Sequence, residues 1–170
     1  MQVRATVITT LEEEHLDALG GSLQSIAAAK AGIIHRGTLA VVGPQSRRDA
    51  VNALQIALQT IPEVRPVWVS QSALVDQGLQ GEDPGDTKQV ATAGPSLLPA
   101  LGASPLHLSM LGGHNVLNAS TAATAVSAMV AEGSVGVSQE CLRTGLQRAR
   151  LPGRFDIHWR SSQRGLNPSC

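Results

Sequence analysis

Strands and amphipathic helices alternate along the first 70 residues of the chain. The strand segments are rich in β-branched residues, and one of them is a continuous apolar run of the kind that a strand buried on both faces shows. The helical segments have apolar residues at helical spacing, and the first begins at a good N-cap residue. The predicted elements are strand Val3–Thr10, helix Ser22–Ile34, strand Thr38–Gly43, helix Ser46–Thr60 and strand Val64–Ser70.

The rest of the chain has a weaker pattern. Gln71–Ser104 holds clusters of Gly, Pro and Asp with little periodicity, and predicts a long surface excursion. The elements predicted after it are a strand at Leu106–Leu111, helices at Asn115–Glu132 and Val137–Ala149, and a strand at Phe155–Trp159. The order strand, helix, strand predicts an α/β fold with a mostly parallel sheet and flanking helices.

Composition narrows the function classes. With 170 residues and 42% apolar residues, the chain is long enough for one domain with a real core. A net charge of zero and 2% aromatic residues argue against nucleic-acid binding, and no apolar run is long enough to predict a membrane span. Two cysteines, Cys141 and Cys170, favour an intracellular location. The start within a strand and the polar end suggest a fragment of a longer protein.

Lys30 is the unusual residue of the first helix. It falls on the stripe formed by the apolar residues Leu23, Ile26, Ala27, Ala31 and Ile34. An ammonium group on the buried side of a helix is costly unless it finds a partner or reaches solvent. Two interpretations stay open on the residues alone: a lysine whose stem extends to solvent, or a functional lysine that faces a site together with His15.

Two later clusters are candidate binding sites. Asn115 and Asn118, next to His114, lie one turn apart where a helix is predicted to begin after two glycines, and an amide that both donates and accepts suits the edge of adenine. The alternative is an N-cap with a surface asparagine. Arg154, after Pro152-Gly153, could reach a phosphate as a planar fork or be an exposed arginine of a basic tail.

Together these segments resemble the folylpolyglutamate synthase/dihydrofolate synthase family of the Mur ligase superfamily. The family motifs are I-T-x-[IL]-x-x-[DE]-H, L-G-x-[TS]-L-x-x-I-A-x-x-K-[AS]-G-I, H-[NQ]-x-x-N-A and L-x-G-R. In this sequence they are Ile8–His15, Leu19–Ile33, His114–Ala119 and Leu151–Arg154. The first two follow each other with the His-to-Lys spacing of the family. The resemblance covers most of the chain, but Gln71–Ser104 and the tail after Trp159 are unmatched. Small differences between this sequence and the family motifs favour a member of the dihydrofolate synthase type.

The resemblance implies the central ATPase domain of this family. Residues 1–150 would be the C-terminal part of that domain, and residues 151–170 would be the junction and the start of the next domain. Family members activate a substrate carboxylate with ATP as an acyl phosphate, which the amine of L-glutamate then attacks. The substrates implied are dihydropteroate or a folate, the cofactors are ATP and Mg²⁺, and the enzyme is expected to be monomeric, in the cytoplasm or the mitochondrion.

The resemblance also assigns roles to individual residues. His15 would be a magnesium ligand, and Lys30 would be the lysine that family members carbamylate with CO₂. Asn118, with His114 and Asn115, would contact adenine, and Arg154 would reach the ATP phosphates. Carbamylation turns a cation into an anion, which accounts for a lysine on an apolar stripe that faces a metal ion.

The sequence departs from the family in ways that affect activity. It contains no P-loop (G-x-x-G-K-[ST]) and no D-G-A-H-N motif, and His35 stands where the family usually has Lys. We therefore expect that the chain alone does not turn over ATP, and that open strand edges make it poorly soluble. The alternatives are a non-catalytic binding or regulatory remnant of this fold, or a cell-wall-type Mur ligase.

Overall fold

A parallel three-stranded sheet and an antiparallel three-stranded sheet are joined by one long helix. The computed structural model describes residues 3–12, 21–82 and 86–151. The strands of the parallel sheet lie in the order β1-β2-β3, and Ile8, Val42 and Trp68 are neighbours in register. Its elements are β1 Ala5–Ile8, α1 Leu23–Ala31, β2 Leu39–Val42, α2 Arg48–Gln59 and β3 Arg65–Trp68.

The helices α1 and α2 cover one face of the parallel sheet. The α1 helix begins at Ser22, whose side chain accepts from the backbone N–H of Ser25, while the Ser25 hydroxyl accepts from the N–H of Ser22. This capping box satisfies two of the N–H groups that a helix start leaves unpaired. The predicted stripe of Leu23, Ile26, Ala27, Ala31 and Ile34 is buried, as helical spacing required. The stripe packs in one cluster with Ile8, Ala40 and Val42 of the sheet and with Leu54 of α2.

Gln71–Ser104 is not the surface excursion that the sequence predicts. It forms β4 Leu74–Gln80 and β5 Lys88–Ala93, an antiparallel pair, and the short helix α3 Leu98–Leu101. The strand β6 Leu106–Leu108 completes this second sheet in the order β4-β5-β6. The prediction was wrong because most of β4 is exposed, so its sequence carries no apolar alternation. A bulge between Asp76 and Gly78 also breaks the two-residue period of β4.

The helix α4, Gly113–Ala131, lies between the two sheets and contacts β1, β2 and β4. Small side chains permit this close approach: a Cβ built on Gly43, just after β2, would lie 2.9 Å from Thr121 Oγ1. The helix α5 Gln139–Arg148 begins at the N-cap Ser138, within the predicted helix Val137–Ala149, and packs against β6 and α3. The second core contains Val41, Leu101, Leu106, Val116 and Ala123.

The predicted α/β class is confirmed, with a parallel sheet between helices. The first five predicted elements are all present, with bounds two to four residues tighter in total than the sequence suggested. The predicted strand at Phe155–Trp159 lies outside the described residues. None of the described helices combines the length and hydropathy needed to cross a bilayer.

The two edges of the parallel sheet differ. On β3, the N–H of Arg65 donates to Thr38 of the sheet, so the nitrogen of Pro66 faces outward and offers no donor. On β1 there is no proline, and Val7 is 42% exposed although its neighbour in register, Val41, is fully buried. Among the described strands, β1 is therefore the open edge of the parallel sheet.

Candidate functional site

The carboxyl ends of the three parallel strands meet at one edge of the sheet. In open α/β sheets, ligands bind outside this edge. Here it is formed by Thr9 and Thr10 after β1, by Gly43-Pro44-Gln45 after β2, and by Ser70 and Gln71 after β3. The Thr10 hydroxyl donates to the carbonyl of Pro44 over 3.3 Å, so the exits of β1 and β2 are directly joined.

Gln45 ties the same two exits together from within. Its amide nitrogen donates to the carbonyls of Gly43 and Thr9, over 2.7 and 3.2 Å, and its amide oxygen accepts from the N–H of Leu11 over 2.8 Å. The side chain amide of Gln71 in turn donates to the backbone carbonyl of Gln45 over 2.7 Å. Two glutamines thus connect all three strand exits, and the sequence analysis did not identify either of them.

Lys30 lies at this edge. It is in the last turn of α1 and half-buried, and its Nζ donates to the backbone carbonyl of Thr10 over 3.3 Å. The ammonium therefore turns back toward the exit of β1, and its stem does not simply carry it away into bulk solvent. This contact is compatible with a lysine that faces a site. That interpretation and the carbamylation of Lys30 stay predictions.

The start of α4 is the second predicted cluster. His114 and Asn118 are exposed, one turn apart. Asn115 is only 4% exposed, and its amide nitrogen donates to the carbonyl of Leu111 over 2.7 Å. Asn115 therefore holds the first turn of the helix, whereas Asn118 and His114 lie at its surface.

The direction of α4 brings this cluster to the same side of the sheet as Lys30. Thr121 lies beside Gly43 at the carboxyl end of β2, and Glu132, after the helix, pairs with Arg65 at the amino end of β3. The helix therefore runs opposite to the strands. Because a helix rises about 1.5 Å per residue, His114 lies about 10 Å beyond Thr121, on the carboxyl side.

A buried amide supports the start of α4 and was not predicted. Gln89 of β5 is 3% exposed, its oxygen accepts from the N–H of Gly112 over 2.9 Å, and its nitrogen donates to the carboxylate of Asp76. The bulge in β4 places that carboxylate beside the helix, because a Cβ on Gly113 would lie 3.5 Å from Asp76 Oδ2. A carboxylate is favourable at a helix N-terminus, where the N–H groups carry partial positive charge.

Arg47 and Asp49 form an ion pair at the start of α2, next to this edge. The hydrogen bond from the Arg47 side chain to Asp49 holds the pKa of that carboxyl below its ordinary value. Asp49 is in the first turn of α2, where negative charge is also favourable. This pair follows Gln45 by two residues and keeps the beginning of α2 ordered next to the site.

No three His, Cys, Asp or Glu side chains come together as a metal site in residues 3–12, 21–82 and 86–151. His15, the predicted magnesium ligand, and Arg154, the predicted phosphate ligand, lie outside those residues. Lys30 and the start of α4 both lie on the carboxyl side of the sheet. Their predicted roles stay predictions.

Comparison with known proteins agrees with this geometry. No family model matches the chain. The dihydrofolate synthase/folylpolyglutamate synthase of Mycobacterium tuberculosis is 30% identical over 157 residues, which are 88% of this chain and 30% of that protein. The protein of the same name from Bacillus subtilis is 26% identical over 152 residues, 89% of this chain and 33% of that protein. The chain thus spans about a third of the length of these curated relatives.

Solved structures show the same fold. A folylpolyglutamate synthase of Mycobacterium tuberculosis, solved with ADP and AMPPCP, superposes with a TM-score of 0.60 at 23% identity, over 89% of this chain and 33% of that one. A structure described as an FPGS–AMPPCP–folate complex gives 0.67 at 19% identity, over 88% of this chain and 34% of that one. By sequence and by fold, the chain belongs to the dihydrofolate synthase/folylpolyglutamate synthase family.

Proposed function

We propose that the chain forms part of an ATP-dependent ligase that adds L-glutamate to dihydropteroate or a (tetrahydro)folate through an acyl phosphate. The observation that carries the proposal is the position of Lys30, whose Nζ is held on Thr10 at the carboxyl edge of a parallel sheet. The start of α4 faces the same side. The names of the solved relatives, which include AMPPCP and folate, support a nucleotide and a folate as ligands of the whole protein.

Lys30 would act as a carbamate. A neutral lysine amine reacts with CO₂ and loses a proton, so that a cation becomes an anion at the same place. An anion there would help to hold Mg²⁺ beside the phosphates of ATP. Neutralisation of the phosphate charge does much of the catalysis in phosphoryl transfer. Carbamylation requires the neutral amine, since only that form can attack CO₂.

His15 would be a ligand of Mg²⁺, which when bound supplies charge neutralisation to phosphate oxygens. It follows β1 by seven residues, so the chain leads from the strand exit toward it. Mg²⁺ prefers oxygen ligands, and imidazole is a less usual one. A carbamate oxygen on Lys30 would therefore suit the ion better than the nitrogen of the free amine.

The start of α4 would hold the adenine of ATP. The exposed amide of Asn118 can donate and accept together, which the edge of adenine requires, and His114 is exposed one turn earlier. Asn115 would contribute by holding the first turn through Leu111, and Arg154 would reach the phosphates. In this proposal residues 1–150 are part of the central ATP-binding domain and residues 151–170 begin the next domain.

Nucleotide binding by the chain itself tests the proposal. Ligand-observed NMR with AMPPCP and Mg²⁺ should give a signal that Asn118→Leu weakens about tenfold, the loss expected for one bidentate amide–base contact. Asn52→Leu, an exposed asparagine on α2, is the matched control and should leave the signal unchanged. Equal binding by the wild type and Asn118→Leu would contradict the assignment of adenine to α4.

The proposal also predicts that this chain alone does not turn over ATP, because its sequence has no P-loop to cradle the phosphates. Phosphate release should therefore stay at background with dihydropteroate or a reduced folate, L-glutamate and Mg²⁺. Release close to that of a full-length relative would overturn this expectation.

The second candidate is a non-catalytic binding or regulatory remnant of the fold. The missing P-loop favours it, and it predicts nucleotide binding without CO₂ uptake on Lys30. A cell-wall-type Mur ligase is the less favoured enzyme, because the named relatives act in the folate branch. We further propose a monomeric full-length enzyme in the cytoplasm or the mitochondrion, which rests on the sequence resemblance and the low cysteine content.

A further inference from the structure

Residues 9–11, which leave β1, carry the backbone carbonyl that receives Lys30. Thr10 supplies that carbonyl. One side chain fixes both the peptide group of that carbonyl, which ends in the N–H of Leu11, and the preceding peptide group, which contains the carbonyl of Thr9. Gln45 donates to the carbonyl of Thr9 on one side and accepts from the N–H of Leu11 on the other. The position of the Thr10 carbonyl is therefore set from β2, across the sheet.

The side chain of Gln45 can fix this carbonyl because it has almost no conformational freedom of its own. It is 8% exposed, and its amide makes three hydrogen bonds, two as donor and one as acceptor. A buried amide with its groups satisfied keeps one orientation, since any rotation would leave polar groups unpaired at a cost of a lost hydrogen bond. Its backbone is fixed as well, by the donation from Gln71 to its carbonyl.

We propose that Gln45, seated by Gln71, is a positioning residue that fixes the Thr10 carbonyl and through it the amine of Lys30. In this arrangement Gln71, after β3, fixes the backbone of Gln45, after β2. Gln45 in turn fixes the exit of β1, to which the amine of Lys30 donates. Gln45 acts on the lysine through the backbone. The inference deepens the proposed function, on which the importance of Lys30 depends.

A simple structural role for Gln45 makes a different prediction. A buried amide that only holds strand ends together would lower the melting temperature when it is replaced, and the folded protein would keep Lys30 as it is. A positioning role changes the environment of the lysine amine within the folded state. The rate at which the Lys30 amine reacts separates the two roles, since each lysine can be read by mass spectrometry.

The sequence makes this measurement clean, because it contains only two lysines, Lys30 and Lys88. The folded chain is acetylated at low conversion with N-acetyl-lysine in the same tube as a reference amine. In Gln45→Met the Lys30 rate should rise about fivefold, the factor that corresponds to loss of one ordinary hydrogen bond, while the Lys88 rate stays constant. Gln71→Met, at an exposed side chain, should give a smaller rise of about twofold because only the outer link is lost.

Gln89→Met is the matched control. It removes another buried glutamine with a hydrogen-bond network of its own, and should lower stability without a change in the Lys30 rate. A Lys30 rate that is unchanged in folded Gln45→Met, or that rises equally in Gln89→Met, would overturn the proposal. If Gln45→Met does not fold, Gln71→Met decides, and an unchanged Lys30 rate there overturns it too. The assay uses no nucleotide or folate, so its result does not depend on whether the proposed function is correct.

Discussion

Gly43 and Thr121 are in contact where the exit of β2 passes under α4: a Cβ on the glycine would lie 2.9 Å from the threonine Oγ1 and 3.3 Å from the carbonyl of Ile8. The threonine hydroxyl donates to Leu117 within its own helix, so it is not free to turn away without losing a hydrogen bond. The contact fixes how closely the helix approaches the carboxyl edge of the parallel sheet.

Gly43→Ala should therefore destabilise the fold by about 1–3 kcal/mol, the usual cost of overpacking a close contact. The measurement is urea unfolding followed by circular dichroism. Gly145→Ala is the control, since a Cβ there meets nothing within 4 Å and the position is inside α5. It should stabilise that helix by about 0.5–1 kcal/mol. Equal stability of Gly43→Ala and the wild type would show that α4 shifts freely.

Lys30 should take up CO₂. Under ¹³C-labelled bicarbonate, ¹³C NMR should show a carbamate signal that grows with pH, because only the neutral amine reacts. Lys30→Gln should abolish the signal, and Lys88→Gln should leave it in place, so the two lysines control for each other. A carbamate signal that disappears only with Lys88→Gln would contradict the assignment of CO₂ uptake to Lys30.

Ser22→Ala should cost about 1 kcal/mol in the free energy of unfolding, because the side chain that caps the first turn of α1 is lost. Ser138→Ala removes the equivalent cap of α5. No residue of that helix is buried, so its loss should fray the helix locally and change the global unfolding transition less. Urea midpoints for the two variants test this order, which a larger loss for Ser138→Ala would reverse.

Val7→Lys should reduce self-association of the chain. Val7 is an exposed apolar residue on the open edge strand β1, and a charge on an edge strand discourages pairing with another chain. Light scattering during refolding measures the effect. Ile56→Lys replaces another exposed apolar residue, on α2 and away from any strand edge, and should change the scattering less. The same reduction in both variants would indicate general charge repulsion in place of edge pairing.

The elements that the sequence predicted best are those whose burial matches an apolar pattern. The buried stripe of α1 has helical spacing, and β2 is apolar and buried at every position, so both patterns indicate the fold. The hairpin of β4 and β5 was missed because its strands bury small or polar residues such as Ala91 and Gln89. The sequence of an exposed edge strand shows no apolar periodicity.

The residues of the candidate site also differ in whether the sequence could identify them. Lys30 could be found because a cation on an apolar stripe is an anomaly that a single helix displays. Gln45 and Gln89 could not be found, since a glutamine in a polar stretch has the same appearance whether it is solvated or satisfied by backbone groups of distant segments of the chain. Asn115 was predicted as a ligand contact, yet only the packing of α4 distinguishes its buried amide from the exposed one of Asn118.

The place of α4 between two sheets also has a kinetic consequence. Each sheet can assemble from neighbouring segments, the parallel one through α1 and α2 and the antiparallel one through its hairpins, with short loops to close. The helix joins them only when Thr121 reaches Gly43, across most of the described chain. Docking of α4 should then be the late, slow step of folding, and its backbone amides should exchange with solvent only when the whole molecule opens.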